Sequence, residues 1–136
     1  MEYIFVYGTL LKHFNAGVMH SVQAYLHFEE NGSVTGRLYD LGQYPGLVEV
    51  ADATETVIGE VYHVNNPQQV FTVLDEYEGD EYNRTLKTVK LGNGKEIDCW
   101  VYIFVQELHP VYTRIFNGDY LAYIRDKVNE SNYRRN

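Results

Sequence analysis

Three carboxylates close a run that reads as a helix, Asp75-Glu76-Tyr77-Glu78 before Gly79, and they are the first place to look for proton chemistry. At roughly 100° per residue, Val70, Val73, Leu74 and Tyr77 share one apolar stripe. Asp75 lies outside that stripe and Glu76 faces nearly opposite. Glu78 falls four residues after Leu74, on the edge of the stripe, and so turns toward the interior side at the helix C-terminus. Desolvation disfavours a charged carboxylate there, and the negative end of the helix dipole acts in the same direction. A group poised in this way takes and returns a proton near neutral pH. On spacing alone, a solvated terminal Glu ahead of a Gly cap is the commoner outcome, and both readings stand at this point.

The second candidate is Phe5-Val6-Tyr7-Gly8-Thr9-Leu10, where an apolar, aromatic run ends in a glycine-containing loop. Glycine lets backbone N–H groups come close to a ligand, and such a loop can form an anion nest or an oxyanion hole. It can also be a plain strand-ending turn. It is not a P-loop, since no Gly-Lys-Ser/Thr follows.

Other chemistries find little support. Histidines 13, 20, 27, 63 and 109 have no HxxxH or HxH spacing, so no metal site is expected. No Gly-x-Ser-x-Gly elbow surrounds Ser21, Ser33 or Ser131. Cys99 is the one cysteine, which rules out an intrachain disulfide, and with no neighbouring base it reads as a small buried hydrophobe. The net charge of −8 argues against nucleic acid and against an anionic membrane surface as partners. The N-terminus shows no basic region and no long apolar segment, so neither a signal peptide nor a membrane span is expected, and the cytoplasm is the expected compartment.

The elements that must position these residues follow from turn and cap signals. A strand is expected over 3–7, then a polar loop with a short helix through Met19. Asn31-Gly32 predicts a hairpin between strands 22–28 and 33–39. Tyr44-Pro45-Gly46 reads as a turn, and 57–64 as a strand with Gly59 at a bulge or close approach. Asn66-Pro67 opens the helix, Asn as N-cap and Pro at the first helical position, and Gly79 ends it. A second hairpin pairs 85–91 with 96–105 around Gly92-Asn93-Gly94-Lys95. Gly118-Asp119 opens a last helix over 120–128, and residues 129–136 form a polar tail expected to fray. The 136 residues fit one domain, over 1–128. Tyrosine, at 13 residues, suits half-buried strands and cleft walls. The expected fold is α+β: a small mixed, mostly antiparallel β-barrel with two or three flanking helices. With βαβ alternation absent, a doubly wound nucleotide-binding fold is not expected.

Taken in order, four blocks resemble the γ-glutamylcyclotransferase-like superfamily, which includes γ-glutamylamine cyclotransferases and AIG2-like proteins. They are Tyr7-Gly8-Thr9-Leu10; Gly36-Arg37-Leu38-Tyr39 with Tyr44-Pro45-Gly46-Leu47-Val48; Leu74-Asp75-Glu76-Tyr77-Glu78-Gly79; and Tyr82-Asn83-Arg84-Thr85. No block is specific alone; their order over residues 3–125 carries the resemblance. It implies that Glu78 is the acid–base residue and that the pocket lies between it and the Tyr7-to-Leu10 loop. It implies cyclisation of a γ-glutamyl amine or peptide to 5-oxoproline and a free amine, with no cofactor, metal or covalent nucleophile. Substrate contacts then fall to Tyr7, Gly8, Thr9, Leu10, Tyr82 and Arg84. Arg84 could fork onto a substrate carboxylate or pair with a nearby acid. Tyr82 and Tyr120 could line the pocket or pack, with packing favoured for Tyr120. The competing readings are a non-catalytic small-molecule binder on the same fold and a protein-interaction module.

Overall fold

The computed structural model describes residues 1–8, 17–51 and 53–135. In chain order its elements are β1 (Glu2–Val6), α1 (Gly17–Val22), β2 (Leu26–Thr35), β3 (Arg37–Asp40), β4 (Pro45–Val48), β5 (Thr56–Val64), α2 (Pro67–Glu78), β6 (Tyr82–Leu91), β7 (Glu96–Phe104), β8 (Thr113–Ile115) and α3 (Tyr120–Arg135). Single 3-10 turns lie at Gln23–Tyr25 and Gly79–Glu81.

The strands β1-β5-β2-β6-β7 are neighbours in that order. β1 pairs back onto β7 in parallel, Ile4 opposite Trp100, and this closes a five-stranded mixed barrel. β4, β3 and β8 extend the sheet from β7, with β4 parallel to β7 at Leu47 and Ile103. The α+β barrel with flanking helices is thus the observed architecture.

Side-chain alternation splits the core into two layers. On β7, Cys99, Val101 and Ile103 face the layer shared with Phe5, Val61 and Tyr120. Tyr102 and Phe104 face the other layer, with Ile4 and Val6 of β1 and with Val70, Phe71 and Leu74 of α2. Strands buried on both faces read as continuous apolar runs, which is why Ile4-Phe5-Val6 and Val101-Tyr102-Ile103-Phe104 lack polar alternation. Tyr120 packs in the core, as favoured from sequence.

Several expectations change. Asn31-Gly32 is no turn: β2 runs straight through it, with Gly32 opposite Gly59 on β5 and Leu91 on β6. A Cβ on Gly32 would lie 2.8 Å from Val89 Cγ1 and 3.2 Å from the Lys90 carbonyl oxygen, so this glycine serves a close approach between strands. Val22 belongs to α1, not to a strand. Pro45 already begins β4, and the turn before it is closed by the Leu41 N–H donating to the Tyr44 carbonyl, 2.9 Å. Asn66 precedes Pro67 in a left-handed conformation (φ 52°) and makes no side-chain cap; its Nδ2 donates to Gln69 Oε1 instead, 2.8 Å. α3 continues to Arg135, past the expected end, because neither Gly nor Pro interrupts residues 119–136.

Gly59 does sit at a close approach. A Cβ there would stand 2.2 Å from the Val6 carbonyl oxygen and 2.8 Å from Phe5 Cζ, against the strand that leads into the Tyr7-Gly8 segment. The Gly59→Ala variant should therefore lose about 1–3 kcal/mol of stability, read as a lower urea midpoint. A midpoint equal to wild type would show that β1 yields without strain.

Candidate active site

The face that α2 buries is set by Val70, Phe71 and Leu74. Val73 is half-buried and Tyr77 is 45% exposed, so Phe71 takes the place expected for Tyr77. That substitution rotates the buried face by about 60° around the helix, toward Glu78. Glu78 therefore sits within the buried arc at the final turn, half-buried, rather than on its rim. The helix ends immediately afterwards at Gly79, whose φ of 72° is a glycine conformation.

The Glu78 side chain lines a small cavity that opens to solvent; the space free of atoms is about 340 Å³ with the open mouth included. Phe5, Val6, Tyr7 and Gly8 come from β1 and the loop it enters, and Pro45 from β4. Tyr82 of β6 and Tyr102 of β7 complete the lining. Burial pushes the Glu78 carboxyl up to about 7, with no offsetting charge or hydrogen bond from the described residues. Glu78 is the only carboxylate among the described lining residues.

The three tyrosine hydroxyls around it are already engaged. Tyr7 Oη donates to the Tyr102 carbonyl, 2.5 Å, and accepts from the Leu47 N–H, 3.1 Å. Tyr82 Oη donates to the Pro45 carbonyl, 2.7 Å. Tyr102 Oη donates to Asp75 Oδ1, 2.7 Å. Burial, first of all, pushes each of these phenols above its ordinary range, and the nearby Glu78 charge adds to the rise. They stay neutral and give the cavity aromatic walls, with no phenolate to compete with Glu78 for protons.

Arg84 is placed elsewhere. It stands directly across from Tyr102 in the β6–β7 ladder, but it does not line the cavity. Its Nε and Nη2 donate to the two oxygens of Asp75, at 2.9 and 3.3 Å. The guanidinium lies over the rings of Phe71, 4.2 Å, and Trp100, 4.7 Å. Of the two roles open for Arg84, the ion pair is the one present in the structure, with both donors going to Asp75 of the neighbouring helix. Tyr7, Gly8, Tyr82 and Glu78 are brought together; Thr9 and Leu10 lie outside the described residues. Pro45, Tyr102 and Asp75 were missed from sequence. The β6–β7 register that sets Tyr102 opposite Arg84 is the signal that would have found Tyr102.

Among the described residues no group of three or more His, Cys, Asp or Glu side chains is placed to hold a metal ion. No helix among them is long and apolar enough to cross a membrane.

The family model described as gamma-glutamyl cyclotransferase, AIG2-like, matches residues 4–122. A Vibrio cholerae protein named "Putative gamma-glutamylcyclotransferase" is 34% identical over 119 residues, covering 86% of this chain and 93% of that protein. The crystal structure of an AIG2-like protein from Mus musculus aligns with a TM-score of 0.73 at 24% identity, over 88% of each chain. YkqA of Bacillus subtilis aligns with a TM-score of 0.75 at 23% identity, covering 94% of this chain and 42% of that one, so this chain spans less than half of that protein. At such identities the two structures speak for the shared fold. The match over residues 4–122, together with the relative from Vibrio cholerae, shows that the chain belongs to the gamma-glutamyl cyclotransferase, AIG2-like family.

Proposed function

We propose that this protein is a cyclotransferase that converts a γ-glutamyl amine or γ-glutamyl peptide to 5-oxoproline and a free amine. The observation that carries the reading is the Glu78 carboxyl, half-buried in an aromatic-walled cavity beside Gly8 and raised to about 7. Family membership supports the same reaction class.

Glu78 in its ionised form takes a proton from the substrate's α-ammonium. The freed α-amine attacks the γ-carbonyl of its own glutamyl group, forming the ring C–N bond and a tetrahedral oxyanion. Backbone N–H groups of the Tyr7-Gly8-Thr9-Leu10 loop are the proposed donors to that oxyanion. Glu78 then returns its proton to the departing nitrogen as the original amide C–N bond breaks. The attacking nitrogen, which carries two hydrogens after the attack, gives one up through the regenerated Glu78 carboxylate to water or to the released amine, leaving the neutral lactam. The nucleophile is the substrate's own amine and nothing is oxidised or reduced, so the sequence balances without a co-reactant. The pocket's chief task is to hold a folded conformer, since well-oriented intramolecular reactions reach effective molarities of about 10⁵ M or more. A group titrating near 7 serves both proton transfers at neutral pH, because neither its acid nor its base form is scarce. Tyr82 joins Tyr7 and Gly8 as a wall of the substrate pocket, whereas Arg84 acts through Asp75.

The reading predicts 5-oxoproline release from a panel of γ-glutamyl amino acids, γ-glutamyl-ε-lysine and glutathione, followed by mass spectrometry. Glu78→Gln should fold and lose about 10²-fold or more of kcat/KM. Wild-type rates in that variant would remove Glu78 from the mechanism; binding without product by either protein would favour the non-catalytic binder.

A second prediction needs no substrate. The folded-state pKa of Glu78 is raised from 4.5 to about 7, so folding favours the neutral acid. The stability from that preference is full below the unfolded value and is lost as pH rises through about 7. Glu78→Gln cannot ionise. It should therefore gain on wild type between about pH 5 and pH 8, by on the order of 1–3 kcal/mol in urea unfolding. A difference independent of pH would mean that Glu78 is solvated.

A further inference from the structure

Asp75 and Glu78 are three residues apart on α2, adjacent on its surface, yet they meet opposite surroundings. Asp75 is the hub of a cross-element cluster. It accepts from Tyr102 Oη of β7 at 2.7 Å and from both Nε and Nη2 of Arg84 of β6. Arg84 and Tyr102 are direct partners in the β6–β7 ladder, so both side chains leave the same face toward α2. The far side of the cluster is fixed too. Trp100, whose ring lies against Arg84, donates from Nε1 to Glu2 Oε2 of β1 at 2.7 Å. Tyr102 reaches the cavity by two further routes: its ring is part of the wall, and its carbonyl accepts the Tyr7 hydroxyl.

We propose that Asp75 is the positioning residue of this site, holding the last turn of α2 against the barrel through Tyr102 and Arg84 so that Glu78 stays inside the cavity. The proposal rests on the cyclotransferase reading for its kinetic consequence, but its structural consequence does not. Asp75 suits the role because it remains an anion. Burial works against that, but the Arg84 and Tyr102 hydrogen bonds and the Arg84 charge outweigh it and hold its carboxyl below the usual range. The two carboxylates thereby divide the work: one is permanently charged and structural, the other switches. The titratable groups facing Glu78 from the packed strands are Tyr7 of the β1 end, Tyr82 of β6 and Tyr102 of β7, all kept neutral by burial. Among the described residues the Glu78 charge is therefore set by burial within these walls, and Tyr102 is the wall that the clamp holds in place.

Tyr102→Phe keeps the cavity ring and removes only the hydroxyl; Asp75→Asn keeps an acceptor for Tyr102 and removes the charge. Both should lower kcat by about 10-fold or more with KM little changed, since small displacements of a reacting group have effects of that size. The acid limb of the kcat profile should move down from about 7 toward the ordinary carboxylate range as water reaches Glu78. A second arm reads the same thing without turnover: in a Tyr102→Phe background, the pH-dependent stability gap between Glu78 and Glu78→Gln should shrink. If wild type releases no 5-oxoproline, the function reading fails and the unfolding arm still tests the clamp. Variants that lose thermal stability but keep the wild-type kcat, acid limb and pH-dependent gap would overturn the proposal and leave Asp75 a purely structural residue.

Discussion

A carboxylate withdrawn from water must find a compensating partner or give up its charge, and the described residues give Glu78 no such partner. Much of the surrounding architecture follows from keeping that side chain dry while leaving it reachable. The helix that carries it ends at Gly79, so Glu78 is the last residue the helix axis controls. The three tyrosines that wall the cavity turn their hydroxyl protons outward to two backbone carbonyls and to Asp75. Hydrogen bonds aimed at the Glu78 carboxylate would have favoured its charged form and lowered its pKa. Their diversion to other acceptors is what lets burial dominate.

The closed barrel supplies the rigidity this needs. β1 is paired on both sides, to β5 and to β7, and it delivers Tyr7 and Gly8 to the cavity. β6 and β7 present Tyr82 and Tyr102 from adjacent strands of one hairpin. Groups from four separate strands, with the first residues of the loop that β1 enters, thus converge on one helix end, and strand register fixes much of the cavity wall. The arrangement carries an energetic penalty at alkaline pH, where an ionised Glu78 opposes folding. A permanently charged Asp75 one turn earlier, bound to two strands, secures the helix that bears this strain.

How much of this was legible in the sequence depended on the range of the signal. The α2 limits came from Pro67 and Gly79, and the β6–β7 hairpin from its Gly-Asn-Gly turn, all local cues. Asn31-Gly32 carried the same kind of cue and misled, because the need for a small residue where β2 passes β5 and β6 is invisible without the barrel. The apolar stripe of α2 was assigned to Tyr77 rather than Phe71, since hydrophobicity alone does not say which aromatic the barrel receives. That choice decided whether Glu78 stood at the edge or inside. The Asp75–Arg84–Tyr102 cluster was hidden for a different reason: its members are 9 and 27 residues apart, and only the pairing of β6 with β7 brings them to one face.

The most direct test of the account is the titration of Glu78 itself, by carbon-13 NMR of the side-chain carboxyl with Glu78→Gln to assign the signal. A midpoint of about 7 is the predicted result. A midpoint near the ordinary 4.5 would contradict it, because it would place the carboxylate in water and remove the physical basis for its role as acid and base.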